Sequence, residues 1–296
     1  MNRIFASLVL VCAMCLVAPL AEAGVTIAWS PVGNPGNTAD TTGFGAVSYA
    51  YNIGTYDVTN SQYVAFLNSN DATASSLGLY NSNMSDATFG GINFNAGNVP
   101  GSKYSVISGR GNHPANFTTW YDAIRFANWL NNGQGSGDTE TGAYTLGTLD
   151  AGGVPITPPL THNAGSQVWL PTENEWYKAA YYNPGTRSYF KYPTSSNLVP
   201  TASGPTALAN HTNYNNAVGN FTDVGAYSGT TSPYGAFDMG GNVYQWNEAL
   251  IIGSFRGLRG GSFINNSLLL LSSDRFLNDP SLEFNFVGFR VASVAP

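Results

Sequence analysis

Cysteine is almost absent from this chain of 296 residues, which contains only Cys12 and Cys15. Both lie in the first apolar segment, so the rest of the sequence has no thiol. A fold without thiols cannot be held by disulfides or by a cysteine-ligated metal. Packing, hydrogen bonds and oxygen-ligated cations are the remaining ways to hold its loops together.

The segment that contains both cysteines has the pattern of a secretory leader. A short charged start precedes an almost continuously apolar run over residues 4–20, and Ala21-Glu22-Ala23 gives the small-x-small pattern of a cleavage site. The sequence therefore predicts a signal peptide over residues 1–23 and a secreted or periplasmic protein that begins near Gly24. An uncleaved membrane anchor is the alternative, because the run approaches the ~17–25 residues that span a bilayer.

Charged residues are also scarce, at 9% of the chain against a typical ~25%. The net charge is -6 and no Lys/Arg cluster occurs, which argues against nucleic acid and against an anionic membrane as partner after cleavage of the leader. Hydrophobic residues reach 43% and aromatics 13%, which is enough to fill a core. Because no linker or repeat is visible, we expect one large, loop-rich domain over residues 24–296.

Local patterns predict both helices and strands. Three helix starts carry a capping box, in which a Thr is followed three residues later by Gln, Asp or Glu: Thr59 with Gln62, Thr119 with Asp122, and Thr172 with Glu175. Stretches rich in β-branched and aromatic residues predict strands over residues 25–30 and 47–55. Residues 71–111 and 133–168 are rich in Gly, Ser, Thr and Asn, and we expect loop insertions there.

Four further segments occur in a specific order: WLPTENEWYKAA at 169–180, GAFDMGGNVYQW at 235–246, LRGGSF at 258–263 and VGFRVA at 287–292. Together they resemble the sulfatase-modifying-factor family, the formylglycine-generating enzyme-like proteins. The predicted helical segments extend this resemblance to nearly the whole chain from residue 24 onward. It implies an α+β, C-type-lectin-like fold with few short helices and strands and many loops.

The resemblance also implies where the chemistry of the family would lie. Its enzymes carry two cysteines after RGGS that bind copper, and these positions correspond here to Asn265 and Leu270. Neither side chain can supply the thiolate that Cu(I) requires, so copper and formylglycine-generating oxidase activity are not expected. Ser262 is retained in the groove, while Tyr244 and Phe286 replace an expected Trp and Asn. We expect a more apolar and less catalytic pocket at these three residues.

Calcium is the other metal that the resemblance implies, at two oxygen-ligated sites. The first corresponds to Asp238, the carbonyls of Gly241 and Val243, and Gln245, where a neutral amide replaces a carboxylate. The second would use Asn210, the carbonyls of His211 and Val218, and Asn216. Calcium is a possible cofactor on this basis. The alternative is that these residues form Asx turns without a metal.

We expect structural roles for the histidines, for the two glutamates of the third helix and for two arginines. His113, His162 and His211 show none of the usual metal-ligand spacings. Glu173 and Glu175 lie two positions apart on one helix, face different directions and do not suggest a paired acid/base site. Arginines 259 and 290 match family arginines that flank the core sheet, where buried guanidinium groups bond carbonyls or carboxylates.

Three functions fit this sequence. The missing cysteines and the neutral surface favour an exported, noncatalytic member, a pseudoenzyme that binds a ligand such as a carbohydrate or a peptide. An oxidoreductase or tailoring enzyme of the same family, with a site that does not use cysteine, is an alternative. A structural cell-surface interaction protein is another.

Overall fold

A computed structural model describes residues 24–71 and 77–295, so the predicted signal peptide lies outside the described residues. Three α-helices are present there, α1 (Asn60–Asn70), α2 (Trp120–Asn131) and α3 (Glu173–Tyr181). Single turns of 3₁₀ helix lie at Ser82–Ser85 and Ser267–Leu270. No helix in this part of the chain is both apolar and long enough to cross a bilayer.

The helices begin where the sequence predicts. Thr59, Thr119 and Thr172 are the residues that cap α1, α2 and α3, and each has both hydrogen bonds of a capping box. The threonine hydroxyl accepts from a backbone N–H of the first turn, and the Gln, Asp or Glu side chain accepts the N–H of the threonine. These local bonds satisfy donors that a helix start would otherwise leave unpaired.

The strands are short. In chain order they are β1 (Trp29–Val32), β2 (Tyr51–Gly54), β3 (Ile92–Phe94), β4 (Tyr104–Val106), β5 (Val168–Trp169), β6 (Tyr182–Asn183), β7 (Ser188–Tyr189), β8 (Thr201–Ala202), β9 (His211–Thr212), β10 (Tyr244–Ile252), β11 (Phe255–Arg259), β12 (Phe276–Asn278), β13 (Val287–Phe289) and β14 (Ala292–Val294). The predicted strands 25–30 and 47–55 are only partly strand, because β1 and β2 pair over four residues each. The predicted insertion 71–111 contains the hairpin β3–β4.

Two four-stranded sheets organise the domain. One has the order β1-β2-β14-β5, and the other has the order β12-β11-β10-β13, in which β10 and β13 are parallel. The main core contains aromatic residues from the first two helices and from β13: Tyr63, Phe66, Phe126, Trp129 and Phe289. A second buried cluster packs α3 against the first sheet. The segment that follows β11 contacts the end of α3 and the loop after β7, because the Tyr181 hydroxyl donates to the Leu270 carbonyl and the Ser272 N–H donates to the Lys191 carbonyl.

Candidate functional site

The RGGS turn follows β11 and directs the chain toward the 3₁₀ turn Ser267–Leu270. Gly260 and Gly261 have φ values of 98° and 67°, a region that favours glycine. A Cβ atom on Gly261 would lie 2.9 Å from the Leu270 side chain and 3.0 Å from the Leu269 carbonyl oxygen. The turn therefore requires glycine both for its backbone conformation and for its close approach to the residues that follow.

Asn265 has a defined role in this turn. Its Oδ1 accepts hydrogen bonds from the Ser262 backbone N–H at 2.8 Å and from the Ser262 hydroxyl at 2.7 Å. Its own N–H donates to the Ser262 carbonyl at 3.1 Å, and its carbonyl accepts from the Asn215 N–H. Ser262 is fully buried. Both side chains therefore serve to hold the turn.

Leu270 lies on the other side of the same turn. It is fully buried and packs with Tyr192 and Tyr214 in a small apolar cluster. The Tyr181 hydroxyl donates to its carbonyl oxygen at 3.2 Å. Asn265 and Leu270, the positions that the resemblance assigns to the family cysteines, thus both contact the Gly261–Ser262 turn. One supplies an amide and the other an alkyl group, and neither fits a Cu(I) ion, which prefers thiolate ligands.

The two other predicted pocket residues belong to a row of aromatic rings, here called the aromatic stripe: Phe276, Tyr244, Phe286 and Phe284. Tyr244 stacks on Phe276 with ring centroids 5.4 Å apart and lies 6.5 Å from Phe286, which stacks on Phe284 at 5.1 Å. Tyr244 is buried, whereas Phe276 is 43% exposed. Burial and the charge of Asp274 raise the pKa of Tyr244 well above its usual value.

Glu173, at the start of α3, is held between two arginines. The Arg259 Nε and Nη2 atoms donate to Oε1 at 2.9 and 2.6 Å, and Arg275 Nη2 donates to Oε2 at 2.6 Å. Both guanidinium groups also lie over the Phe44 ring, at 4.8 and 5.1 Å from its centre. Arg259 donates in addition to carbonyls of the segment after β11. The predicted structural role of Arg259 agrees with these contacts.

Two members of the first predicted calcium set, Gln245 and Asp238, lie near the buried Arg290 side chain. Gln245 Oε1 accepts from Trp176 Nε1 and from Arg290 Nε, both at 2.7 Å, and its amide nitrogen donates to the Asp238 carbonyl. Arg290 also donates to Asp57 Oδ1 at 2.9 Å, with both side chains fully buried. The Gln245 oxygen that calcium would need is therefore already engaged by two N–H donors.

Asp238 is the carboxylate of that set, and it is buried. Its Oδ2 accepts from the Gly225 N–H at 2.6 Å. Burial raises the pKa of Asp238 to about 6, against the opposing effects of the Gly225 hydrogen bond and of Arg290. Calcium at this set stays a prediction, and the bonds of Gln245 count against it. The carbonyl residues Gly241 and Val243 are buried in the same loop.

The second predicted calcium set is divided between two hydrogen-bonding environments. Asn210 Oδ1 accepts from the Thr194 hydroxyl at 2.6 Å, and its amide nitrogen donates to the carbonyls of residues 198 and 199. The Asn216 N–H instead donates to the Phe263 carbonyl. His211 Nδ1 lies 3.0 Å from the Ser203 hydroxyl, and Val218 is 39% exposed. None of these contacts brings the four residues together.

Sequence reasoning missed a polar network in the middle of β10. Glu248 Oε1 accepts from the Tyr144 hydroxyl at 2.8 Å and from the His162 N–H at 2.6 Å, and it lies 2.9 Å from His162 Nδ1. The His162 ring stacks on Trp169 at 4.8 Å. Within the described residues, no three His, Cys, Asp or Glu side chains converge as a metal site. The network therefore joins two loops to β10 through one buried carboxylate.

A cleft of about 690 Å³ lies beside the segment that follows Leu270, and it was also not predicted. Three stretches of the chain line it: residues 40–42, residues 189–191 with Asn197, and residues 271–273. This volume lies in the range of ~300–1,000 Å³ that small-molecule sites occupy. The cleft is large enough for a ligand of several rings.

Comparison with known proteins agrees with this architecture. Residues 42–295 match the sulfatase-modifying factor enzyme 1-like domain. Hercynine oxygenase of Mycobacterium tuberculosis is 30% identical over 142 residues, which are 42% of this chain and 32% of that protein. The chain thus spans about a third of the length of this curated relative.

Two solved structures share the fold at low sequence identity. Treponema denticola variable protein 1 superimposes with a TM-score of 0.54 at 20% identity, covering 92% of this chain and 96% of its own. CarF gives a TM-score of 0.55 at 18% identity, covering 92% and 99%. The α+β, C-type-lectin-like fold and the family that the motifs indicated are thereby confirmed. The chain belongs to the sulfatase-modifying factor enzyme 1-like domain family.

Proposed function

We propose that this protein is an exported, noncatalytic member of the family that binds a ligand, such as a carbohydrate or a peptide. One observation carries the proposal: both positions that correspond to the family cysteines contribute to a structural turn. Asn265 accepts two hydrogen bonds from Ser262, and Leu270 is buried against two tyrosines. These two side chains stabilise the backbone of the RGGS turn and the segment after it, and neither presents a reactive group to solvent.

The surface near this turn supports binding. The aromatic stripe combines a buried Tyr244 with a partly exposed Phe276, and the cleft is lined mainly by hydroxyl, amide and aromatic side chains. Rigid aromatic rings with short polar neighbours supply contact area at a low cost in side-chain entropy. An exported binding protein that meets a neutral ligand would use such a surface.

A second candidate is an oxidoreductase of the same family whose site does not use cysteine. The match to a hercynine oxygenase favours it, because that relative is named as an enzyme that uses oxygen. The alignment covers less than half of this chain and about a third of that relative, so the activity of the relative does not follow for this chain from the alignment alone.

Elemental mass spectrometry of the purified chain from Gly24 onward, combined with oxygen-uptake measurements, separates the two candidates. A binding protein is expected to contain no stoichiometric copper or iron. When it is mixed with Cu(I), a thiol reductant and a cysteine-containing peptide, it should consume oxygen no faster than the buffer with these additions does. Metal-dependent turnover would overturn the noncatalytic proposal and favour the oxidoreductase.

Calcium is tested on the same sample by thermal unfolding before and after chelation. Because Gln245 is engaged by Trp176 and Arg290, we expect chelation to leave the melting temperature unchanged. Stoichiometric calcium and a lower melting temperature after chelation, both abolished in Asp238→Asn, would instead place calcium at the first predicted set.

A further inference from the structure

The cleft beside residues 271–273 has walls that the fold already holds in place. Asp40 accepts from the Tyr177 hydroxyl at 2.5 Å and from the Thr41 N–H at 2.7 Å. The Tyr189 hydroxyl donates to the Thr38 carbonyl at 2.8 Å, and the Ser272 N–H donates to the Lys191 carbonyl at 2.9 Å. A ligand would therefore meet an ordered surface, which lowers the entropy cost of binding.

The charges of the cleft balance each other. Its lining has one carboxylate, Asp40, and one ammonium group, Lys191. The other polar side chains of the lining are neutral hydroxyls and one amide. A strongly charged ligand would find no excess of opposite charge here, so the cleft suits a neutral molecule.

Several hydrogen-bonding groups remain available to such a molecule. Among the described residues, none receives a hydrogen bond from the Lys191 ammonium, from the Asn197 amide nitrogen or from the Ser273 hydroxyl, and all three residues are exposed. Two partly buried rings, Tyr189 and Phe190, complete the lining. Hydroxyl, amide and ammonium groups beside aromatic faces are complementary to a molecule with many hydroxyl groups and apolar ring faces.

We propose that this cleft binds a neutral oligosaccharide of two to four sugar units. The assignment rests on the proposed binding function and adds its site and the chemical class of its ligand. Sugar hydroxyls pair with the Asp40 carboxylate and with the free donors of Lys191 and Asn197. The Phe190 ring packs against a sugar ring face, while the Tyr189 ring, which Tyr177 and Tyr182 hold in place, forms the floor beside it. An apolar peptide would bring side chains for which the lining offers only Leu271 and these two rings.

The test uses the purified chain from Gly24 onward and an array of neutral di- to tetrasaccharides that contains the gluco, manno, galacto and N-acetylglucosamine series. Hits are measured by isothermal titration calorimetry against two cleft variants. Ser273→Trp places a large ring in the cleft from an exposed position, and Asn197→Asp keeps the acceptor for the Lys191 N–H but removes the amide donor. Ser254→Trp, at the exposed turn between β10 and β11, is the matched control.

The expected result is binding that Ser273→Trp weakens at least about tenfold and Asn197→Asp weakens about threefold to tenfold, as for the loss of one neutral hydrogen bond. Ser254→Trp should bind as the unmodified chain does, and equal melting temperatures should show that all variants fold. Saccharide binding that both cleft variants retain would overturn the cleft assignment and leave the proposed function standing.

Two other outcomes overturn the ligand class. If no saccharide on the array binds at millimolar concentration while a parallel array of neutral peptides gives specific binding, the site is a peptide site and the binding function survives. If neither array binds and the oxygen-uptake assay shows turnover, the saccharide assignment and the proposed function both fail.

Discussion

Two regions of this protein carry motifs of the same family, and their side chains are arranged differently. Around Arg290, in the last motif, every guanidinium nitrogen donates a hydrogen bond, and Gln245, Asp57 and two carbonyls accept them. Around the RGGS turn, Gly260 and Gly261 have positive φ values, and the two positions that the resemblance assigns to the family cysteines hold Asn265 and Leu270. The difference teaches that one fold can hold one motif by a buried polar network and another by a tight turn and apolar packing, so a motif identifies the fold without fixing the chemistry.

The largest expected effect comes from breaking the retained network. Arg290→Gln should lower the free energy of unfolding by about 3–5 kcal/mol, because it leaves the buried Asp57 carboxylate without its charged partner. Urea unfolding followed by tryptophan fluorescence measures this loss. Arg187→Gln, at an exposed arginine, is the control and should change stability by less than about 0.5 kcal/mol. A loss below 1 kcal/mol in Arg290→Gln would contradict the role of the network.

The next effect tests the region that departs from the family. Leu270→Cys should cost about 2 kcal/mol of unfolding free energy, since it removes buried methyl groups from a packed cluster. Asn265→Cys should cost about 1–2 kcal/mol, because the buried Ser262 N–H loses its acceptor. Asn265→Asp keeps that acceptor and should retain most of the stability. If both cysteine variants were as stable as the unmodified chain, these positions would not be structural and the comparison would lose its basis.

The smallest effect concerns pH. Burial alone lowers the pKa of His162, but the hydrogen bond and charge of Glu248, with the charge of Glu175, raise it above its ordinary value. His162 therefore contributes stability that is present below about pH 6.5 and is lost as pH rises through its raised folded-state pKa. Its side chain is 23% exposed, so the contribution should stay below about 1 kcal/mol. Chemical denaturation at pH 5.5 and 8.5 should show a smaller pH dependence in His162→Gln.

His113 supplies a control of opposite sign for that experiment. Burial lowers its pKa, with Asp223 opposing and Arg110 adding to the effect. Its contribution to stability is present above about pH 6.5 and is lost as pH falls. In His113→Gln, the free energy of unfolding should therefore fall less between about pH 6.5 and acidic pH than it does in the unmodified chain. The same direction of change in both variants would mean that the pH dependence arises elsewhere in the molecule.

The sequence predicted those features that depend on short stretches of chain. Each capping box lies within four residues, so Thr59, Thr119 and Thr172 identified the starts of α1, α2 and α3. The ordered motifs identified the fold and the family for the same reason. Strand lengths were predicted less well, because pairing ends where a neighbouring strand ends, and that depends on distant residues.

The features that the sequence did not predict join residues far apart in the chain. Glu248 meets His162 across 86 positions and Tyr144 across 104. Tyr177 meets Asp40, in the wall of the cleft, across 137 positions. A carboxylate, an imidazole and a phenol at such separations carry no spacing signal, because only the packing of the loops brings them together.

The position of β14 has a consequence for the time at which this protein can fold. Ala292–Val294 pairs with β2 on one side and with β5 on the other, so it joins two strands whose residues are synthesised well before residue 292. The first sheet is therefore incomplete until residue 294 has been synthesised. Such long-range pairing slows folding, and a chain whose sheet closes late leaves its unpaired strands accessible to chaperones for longer.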